Sequence, residues 1–265
     1  MRLVNRGVFG LPLLMLAWAV LVTNQREAHP EKLFLKAQSF EKTGKIMDAL
    51  ALYDRIVTDY PGTPASCQSI WEMALIEYSE IGNTGKSLSL FDSLLNSCQG
   101  NELAAKAMLK IADIYEVDMR ELEKANQLRY DYLEIDSGSE QSRKALFAIG
   151  NVLFKQKKFV SALAIFNNLL ELNPLQEVKA QVRLRMGVIL SLTNHYDKSI
   201  EHFNMVVRES QSSNFRLQAK LGLINCYELL GEYSLALDVA EKIMPAELSG
   251  KDKTQLVMKI KQRQF

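Results

Sequence analysis

Residues 143–174 read RKALFAIGNVLFKQKKFVSALAIFNNLLELNP. Apolar residues recur there every three or four positions on both sides of a polar gap at residues 155–158. This spacing predicts two amphipathic helices, and Pro174 ends the second because proline cannot continue a helix. The small Ala162 begins the second helix, where a larger side chain would hold the two helices apart. The stretch therefore predicts a tightly packed helical hairpin.

The same hairpin pattern recurs along most of the chain. A small residue begins each second helix at intervals of 37 or 38 residues: Ala49, Ser87, Ala125, Ala162, Ser199 and Ala236. A large residue lies in the middle of each first helix at the same intervals: Phe40, Tyr78, Tyr115, Leu153, Leu190 and Tyr227. Glycines at 44, 82 and 231 fall between the halves, where a left-handed residue lets the chain reverse. Two sets of positions with one period predict stacked repeats.

The repeat resembles the tetratricopeptide repeat. Its large, glycine, aromatic and alanine positions are filled in the second, fifth and sixth units by Trp71, Tyr78, Gly82, Phe91, Gly187, Tyr196, Phe203, Tyr227, Gly231, Tyr233 and Ala236. The third unit departs, with Met119 in place of glycine and Arg129 in place of the aromatic, which predicts a shifted second helix. The resemblance implies an all-α fold, a right-handed α-solenoid of about six hairpins with a capping helix.

The resemblance also sets the expected boundaries. A solenoid is expected over residues 30–250, followed by a capping helix or tail over 251–265. Its six units are expected at about residues 30–66, 67–104, 105–142, 143–179, 180–216 and 217–250. The phrase at residues 59–64, DYPGTP, is similar to bacterial cell-envelope members of the family, including the repeat proteins of the barrel-assembly machinery and of the Tol-Pal system.

Residues 1–29 have the pattern of an export segment. Arg2 and Arg6 precede an apolar run over residues 7–22. A small-x-small cleavage pattern at residues 17–19 predicts a removable signal peptide, whereas the length of the run also suits a retained membrane anchor. Both alternatives place the remaining chain on the same, exported side, since the positive end stays in the cytoplasm.

The charge is balanced overall but unevenly distributed. The net charge is +1, which argues against a general attraction to nucleic acid. Residues 30–140 hold 19 acidic and 11 basic residues, whereas residues 141–265 hold 11 acidic and 18 basic residues. Two interpretations remain open: scattered solvated faces, or a bipolar molecule that pairs head to tail or meets two oppositely charged partners.

The sequence offers little support for catalysis. His29, His195 and His202 have no acidic residues near them at metal-ligand spacing, and neither a glycine-rich phosphate loop nor a convincing nucleophilic triad occurs. We therefore expect no enzyme activity, cofactor or metal. Cys67 and Cys98 lie at adjacent ends of one predicted hairpin, so they form either a disulfide in an exported chain or two small buried thiols.

In tetratricopeptide solenoids the first helix of each unit lines a concave face, which the resemblance implies here too. The implied groove residues are Glu31, Phe34, Glu41, Glu72, Asp113, Glu116, Lys144, Phe147, Asn151, Phe154, Leu184, Val188, Leu221 and Asn225. The alternative for Phe147, Leu184 and Leu221 is packing between helices. Because Phe147 stands where some relatives have a lysine that clamps a free carboxylate, recognition of C-termini is not expected.

These patterns predict a non-enzymatic scaffold in the cell envelope, facing the bacterial periplasm. It would be soluble after cleavage or anchored to the inner membrane, and would hold peptide segments of partner proteins in support of an assembly. The alternative is a structural protein that self-assembles through its acidic N-terminal and basic C-terminal halves. Nucleic acid is not an expected partner.

Overall fold

The structure, a computed structural model, describes residues 29–264. Within these residues the chain forms 13 α-helices and one π-helical turn, and no strand. The all-helical prediction is therefore confirmed for this part of the chain. The chain divides into two compact units between Leu128 and Arg129. We describe them separately as the N-terminal unit, residues 29–128, and the C-terminal unit, residues 129–264.

The N-terminal unit contains two complete hairpins and the first helix of a third. Its helices are α1 (Pro30–Lys42), α2 (Ile46–Asp59), α3 (Pro64–Ser79), α4 (Thr84–Ser97) and α5 (Glu102–Ile114), which continues into the π-helical turn Tyr115–Met119. Helix α6 (Leu122–Ile135) contains the point of division.

The C-terminal unit repeats the same arrangement. Its helices after α6 are α7 (Glu140–Lys155), α8 (Phe159–Glu171), α9 (Gln176–Leu192), α10 (Tyr196–Glu209), α11 (Ser213–Leu229), α12 (Tyr233–Glu241) and α13 (Gly250–Arg263). Successive helices pack on one another, and α9 also contacts α11. The first helices of consecutive hairpins therefore lie side by side.

The small residues of the repeat lie at the contact between the helices of each hairpin. All six, from Ala49 to Ala236, have no exposed surface. Two of the six are serines, whose hydroxyls would be costly to bury without a partner. Ser87 donates to the carbonyl of Ala74 at 2.8 Å and Ser199 to that of Gly187 at 2.7 Å. Serine therefore serves in place of alanine because the preceding helix accepts its hydrogen bond.

The turns inside the hairpins have the predicted left-handed residue. Gly44, Gly82 and Gly231 have φ of 74°, 75° and 75°. Lys157 and Asn194, each with φ 59°, hold the equivalent place in the hairpins that lack glycine. A left-handed residue thus reverses the chain in these hairpins, whether or not it is glycine.

The first helices of the second to sixth units begin three or four residues before the approximate unit boundaries expected from the repeat. The units were expected to begin at 67, 105, 143, 180 and 217, but their first helices begin at Pro64, Glu102, Glu140, Gln176 and Ser213. The small residues that define the repeat period lie in the second helix of each hairpin. They therefore do not specify where the first helix of each hairpin begins. Four of those starts are fixed by side chains that accept a backbone N–H, those of Thr63, Asn101, Ser139 and Ser212.

The departure in the third unit is a π-helical turn. Helix α5 does not end at a glycine but continues through residues 115–119, and Arg120 then takes the left-handed conformation with φ 58°. Arg129, which stands in place of the aromatic, is 2% exposed. The irregularity expected at Met119 is thus a π-helical turn at the end of α5, a wider turn that accommodates one extra residue in the helix.

The predicted export segment comprises residues 1–29. All of it except His29 lies outside the described residues. Among residues 29–264 no helix combines the length and the apolar composition that crossing a membrane requires.

Phe203 of α10 is held between two glycines of neighbouring first helices. A Cβ atom added to Gly187 would lie 2.6 Å from the Phe203 ring, and one added to Gly222 would lie 2.5 Å from it. Real Cβ atoms do not approach so closely, so both glycines are required by the ring between them. A Cβ atom added to Gly150 would likewise lie 2.4 Å from the ring of Phe166 of α8. The first helices stack closely because these positions have no side chain.

We expect Gly222→Ala to lower the free energy of unfolding by about 1–3 kcal/mol, since the ring of Phe203 cannot move away from a new methyl without meeting Gly187. Gly85→Ala is the matched control, because its Cβ would meet nothing closer than 3.9 Å within helix α4. Urea unfolding of the two variants measures the difference. Equal stability of the two would contradict the packing described here.

The C-terminal end of the chain is fixed by a buried ionic network. Glu247, in the loop before α13, has no exposed side-chain surface. Its carboxylate accepts from Arg216 Nε at 3.0 Å, from Lys220 Nζ at 2.6 Å and from the amide of Met244 at 3.0 Å. Lys220 Nζ also donates to the carbonyl of Lys242 at 3.0 Å. The network joins α11 to the loop that carries α13, whose Ile260 is buried at 1% exposure.

Cys67 and Cys98 form a disulfide in the structure. Cys67 lies in the first turn of α3 and Cys98 is the C-cap of α4, with their Cα atoms 6.0 Å apart. Both are nearly buried, at 3% and 5% exposure, within the core of the N-terminal unit. The bond therefore ties the two open ends of this hairpin together.

Candidate functional site

An open cavity of about 430 Å³ lies on the C-terminal unit. Helices α7, α9 and α11, the first helices of three consecutive hairpins, supply most of its wall. The residues that line it are Phe147, Gln181, Leu184, Arg185, Val188, Phe203, Phe215, Gln218 and Gly222. Phe147, Leu184 and Val188 of the predicted groove set are among these lining residues.

The helical repeat places these side chains on one face. Gln181, Arg185 and Val188 follow one another by four and three positions on α9, and therefore lie on one face of that helix. Phe215, Gln218 and Gly222 do the same on α11. Since Gly222 has no side chain, the floor of the cavity there is the ring of Phe203.

A second cavity of about 290 Å³ adjoins the first, because Phe147 and Gln181 line both. Its other residues are Glu140, Arg143, Lys144, Leu175, Glu177 and Val178. Arg143 Nε donates to Glu140 Oε2 at 3.1 Å and Arg143 Nη1 to the carbonyl of Gly138 at 3.0 Å, so this arginine is already occupied. We call the surface formed by the two cavities the C-terminal groove.

Arg185 is the one charged residue in the wall of the larger cavity. Its guanidinium lies over the ring of Phe154, 5.7 Å from the ring centre, and Phe154 in turn packs against Phe159 at 6.1 Å. Arg185 is exposed, and no carboxylate of residues 29–264 forms an ion pair with it. The cation–π contact fixes the position of the guanidinium while most of its N–H groups remain open to a ligand.

The structure brings together part of the predicted set in the C-terminal unit. The groove is lined by three of the predicted residues, Phe147, Lys144 and Val188. Leu184 also lines it, although only 7% of its surface is exposed. Other predicted residues lie on the same helices but outside the cavity walls: Asn151, Phe154, Leu221 and Asn225. The Oδ1 atom of Asn151 is buried without a hydrogen-bond partner.

Sequence reasoning missed Gln181, Arg185, Phe215 and Gln218. The family resemblance assigns four inward-facing positions to each first helix, and the predicted groove residues were taken from those positions. The four missed residues lie at other positions of the same helices. A helical-wheel comparison with Val188 would have found Gln181 and Arg185, since they lie seven and three positions before it. No local signal marked Phe215.

In the N-terminal unit, Phe34 of the predicted groove set lies in the core. Phe34 is 9% exposed and packs against Tyr53, with the ring centres 5.4 Å apart, because the core between α1 and α2 needs a large residue there. Tyr53 is itself fully buried and donates to Glu41 Oε2 at 3.1 Å. Phe34 therefore belongs to the core and not to an open surface.

The acidic residues predicted for the N-terminal unit remain at or near its surface. Glu31 and Asp113 are exposed, while Glu41, Glu72 and Glu116 are partly buried. Burial raises the pKa of Glu72, and the negative charge of Glu41 raises it further. Glu41 and Glu72 are thus close enough to repel one another. In residues 29–264 no three His, Cys, Asp or Glu side chains are grouped as metal ligands would be.

Comparison with known proteins fits the repeat pattern. The sequence profile of a tetratricopeptide repeat family matches residues 33–63. A tetratricopeptide repeat protein from Parabacteroides merdae is 20% identical and superimposes with a TM-score of 0.59, over 89% of this chain and 86% of that one. The fold is that of tetratricopeptide repeat proteins. No curated protein is significantly similar to the chain in sequence.

Two further solved structures share the tetratricopeptide fold. PilF of Pseudomonas aeruginosa is 15% identical, with a TM-score of 0.57 over 87% of this chain and 96% of that one. YrrB, described as a tetratricopeptide protein with an unusual peptide-binding site, is 18% identical, with a TM-score of 0.57 over 79% and 97% of the two chains. At these identities the likeness establishes the fold, and tetratricopeptide folds generally mediate protein–protein interaction.

Proposed function

We propose that the protein is a non-enzymatic scaffold that binds peptide segments of partner proteins in the C-terminal groove. The observation that carries the proposal is an open groove formed by three consecutive first helices, with aromatic walls and side-chain amides. The helices that form it are held in place by closely packed cores, so little ordering is needed before a ligand binds. Mixed apolar and hydrogen-bonding surfaces of this kind suit a peptide better than a flat protein face.

Cross-linking from within the groove tests this function. A photoreactive phenylalanine analogue at Val188 should form cross-links to partner proteins in the cells that produce the chain. The same analogue at Val160, which is 85% exposed on α8 and lies outside the groove, is the control. Equal cross-linking from both positions, or none from position 188, would contradict the proposal.

We place the protein in an exported compartment, as a cell-envelope component. Two features support this location: the basic and apolar pattern of residues 1–29, and the disulfide between Cys67 and Cys98, which persists in oxidising compartments. Whether the first segment is cleaved or retained as an anchor decides between a soluble periplasmic protein and one attached to the inner membrane.

Self-assembly is the second candidate, and the charge of the two units favours it. Residues 29–128 hold 15 acidic and 10 basic residues, whereas residues 129–264 hold 15 acidic and 19 basic residues. Opposite net charges on two units allow a contact between different surfaces of two copies. Sedimentation at low and high salt distinguishes the two functions, since such oligomers would dissociate as salt screens the charges.

A further inference from the structure

The charge and chemistry of the C-terminal groove indicate what kind of peptide it takes. Arg185 is the one charged side chain in the wall of the larger cavity, and in the smaller cavity two acidic residues offset two basic ones. The groove as a whole therefore has one uncompensated positive charge, and that charge is next to the aromatic wall. This inference rests on the proposed function, since it names the ligand of the same groove.

Arg185 is well arranged to receive a carboxylate. Its guanidinium lies over the ring of Phe154, 5.7 Å from the ring centre, and this contact limits its freedom before a ligand arrives. A contact with the ring face uses none of the N–H donors of the guanidinium, and two of these donors can bind a carboxylate through paired hydrogen bonds.

The rest of the wall suits an extended peptide. Gln181 and Gln218 project from adjacent first helices, and their amides offer donors and acceptors that match peptide N–H and C=O groups. Gln218 Nε2 donates to Asn214 at 3.3 Å, which leaves its oxygen available. Phe147, Phe215 and Val188 supply apolar surface for side chains on either side of the acidic one.

We infer that the C-terminal groove binds an extended peptide segment in which an acidic side chain, held by Arg185, is flanked by apolar residues. A polyanion such as nucleic acid is a poorer match, because polyanions are bound by several cations along a surface, whereas the acidic residues Glu140 and Glu177 offset two of the three cations that line this groove. The preferred partner is therefore a protein segment of mixed acidic and apolar composition.

Three synthetic peptides test the inference against the full chain. They share the same leucine and phenylalanine positions and differ at one central position, which is glutamate, glutamine or lysine. We expect fluorescence anisotropy to show the glutamate peptide binding about tenfold more tightly than the glutamine peptide, as one charge-assisted hydrogen bond provides, with the lysine peptide weakest.

Arg185→Gln should remove the difference between the glutamate and glutamine peptides while glutamine-peptide binding remains. Lys198→Gln, the same change at an exposed lysine of α10 outside the groove, should leave the difference intact. A preference for glutamate that survives in Arg185→Gln, a preference for lysine, or displacement of the peptide by a single-stranded oligonucleotide would overturn the inference.

The outcomes also separate this inference from the proposed function. If all three peptides bind equally, and binding is weakened by Phe147→Ala, the groove binds peptides but Arg185 does not select an acidic one. If none binds, both the proposed function and the acidic specificity fail.

Discussion

Glu247→Ala is expected to lower the free energy of unfolding by about 3–5 kcal/mol, because it leaves Lys220 buried without its counter-charge. The side chain of Lys220 is 9% exposed and that of Glu247 is fully buried. The substitution also removes the acceptor of Arg216 and of the Met244 amide. Helix α13 depends on this loop, so we expect it to separate first, as increased hydrogen exchange in residues 250–263 would show.

The control for this prediction is Asp238→Ala. Asp238 pairs with Lys242 at 2.6 Å on α12, but their side chains are 54% and 70% exposed, and an exposed pair one turn apart contributes under about 1 kcal/mol. The two acidic residues lie in the same region of the chain and differ chiefly in burial. If Glu247→Ala costs no more than Asp238→Ala in urea unfolding, the network does not stabilise the end of the chain as described.

The same network predicts a dependence on pH. Burial raises the pKa of Glu247, but the hydrogen bonds from Lys220, the Met244 amide and Arg216 outweigh it, so the pKa lies below its ordinary value. A lowered pKa in the folded state stabilises the fold above the ordinary glutamate pKa, and this contribution is lost as the pH falls through the lowered value. The stability difference between the natural chain and Glu247→Ala should therefore shrink in acid.

Removing the disulfide is the second large effect we expect. The bond between Cys67 and Cys98 closes a loop with a sequence separation of 31 residues, for which chain entropy predicts a loss of about 3–4 kcal/mol on reduction. Thermal unfolding of the natural chain with and without a thiol reductant measures the loss. We expect the reduced form to unfold at a clearly lower temperature.

The double variant Cys67→Ala/Cys98→Ala supplies the control. It should have the stability of the reduced chain, apart from small packing changes, and reductant should not change it further. Cys226 is buried and unpaired, so its thiol should remain free in both forms. Three free thiols in protein purified from an oxidising compartment under denaturing conditions would contradict the disulfide, and with it one support for an exported location.

The periodic features of the fold were predictable because local spacing encodes them. Small residues at 37- and 38-residue intervals predicted the close contact within each hairpin, and all six are fully buried. The role of the turn glycines was equally predictable, since a chain that reverses between two helices needs a left-handed residue, and Gly44, Gly82 and Gly231 have that conformation. Helix starts were predicted less well, because the caps at Thr63, Asn101 and Ser139 stand outside the repeat pattern.

The sequence by itself determined that the chain forms helical hairpins and about how many it forms, because helical periodicity is a local property. Only the tertiary structure decided which inward positions are open. Phe34 enters the core while Arg185, absent from the predicted set, stands free over Phe154. It likewise decided that Gly222 exposes Phe203 in the groove and that Glu247 meets Lys220 across 27 residues. These contacts depend on the distance between packed helices, which residue spacing along one helix does not specify.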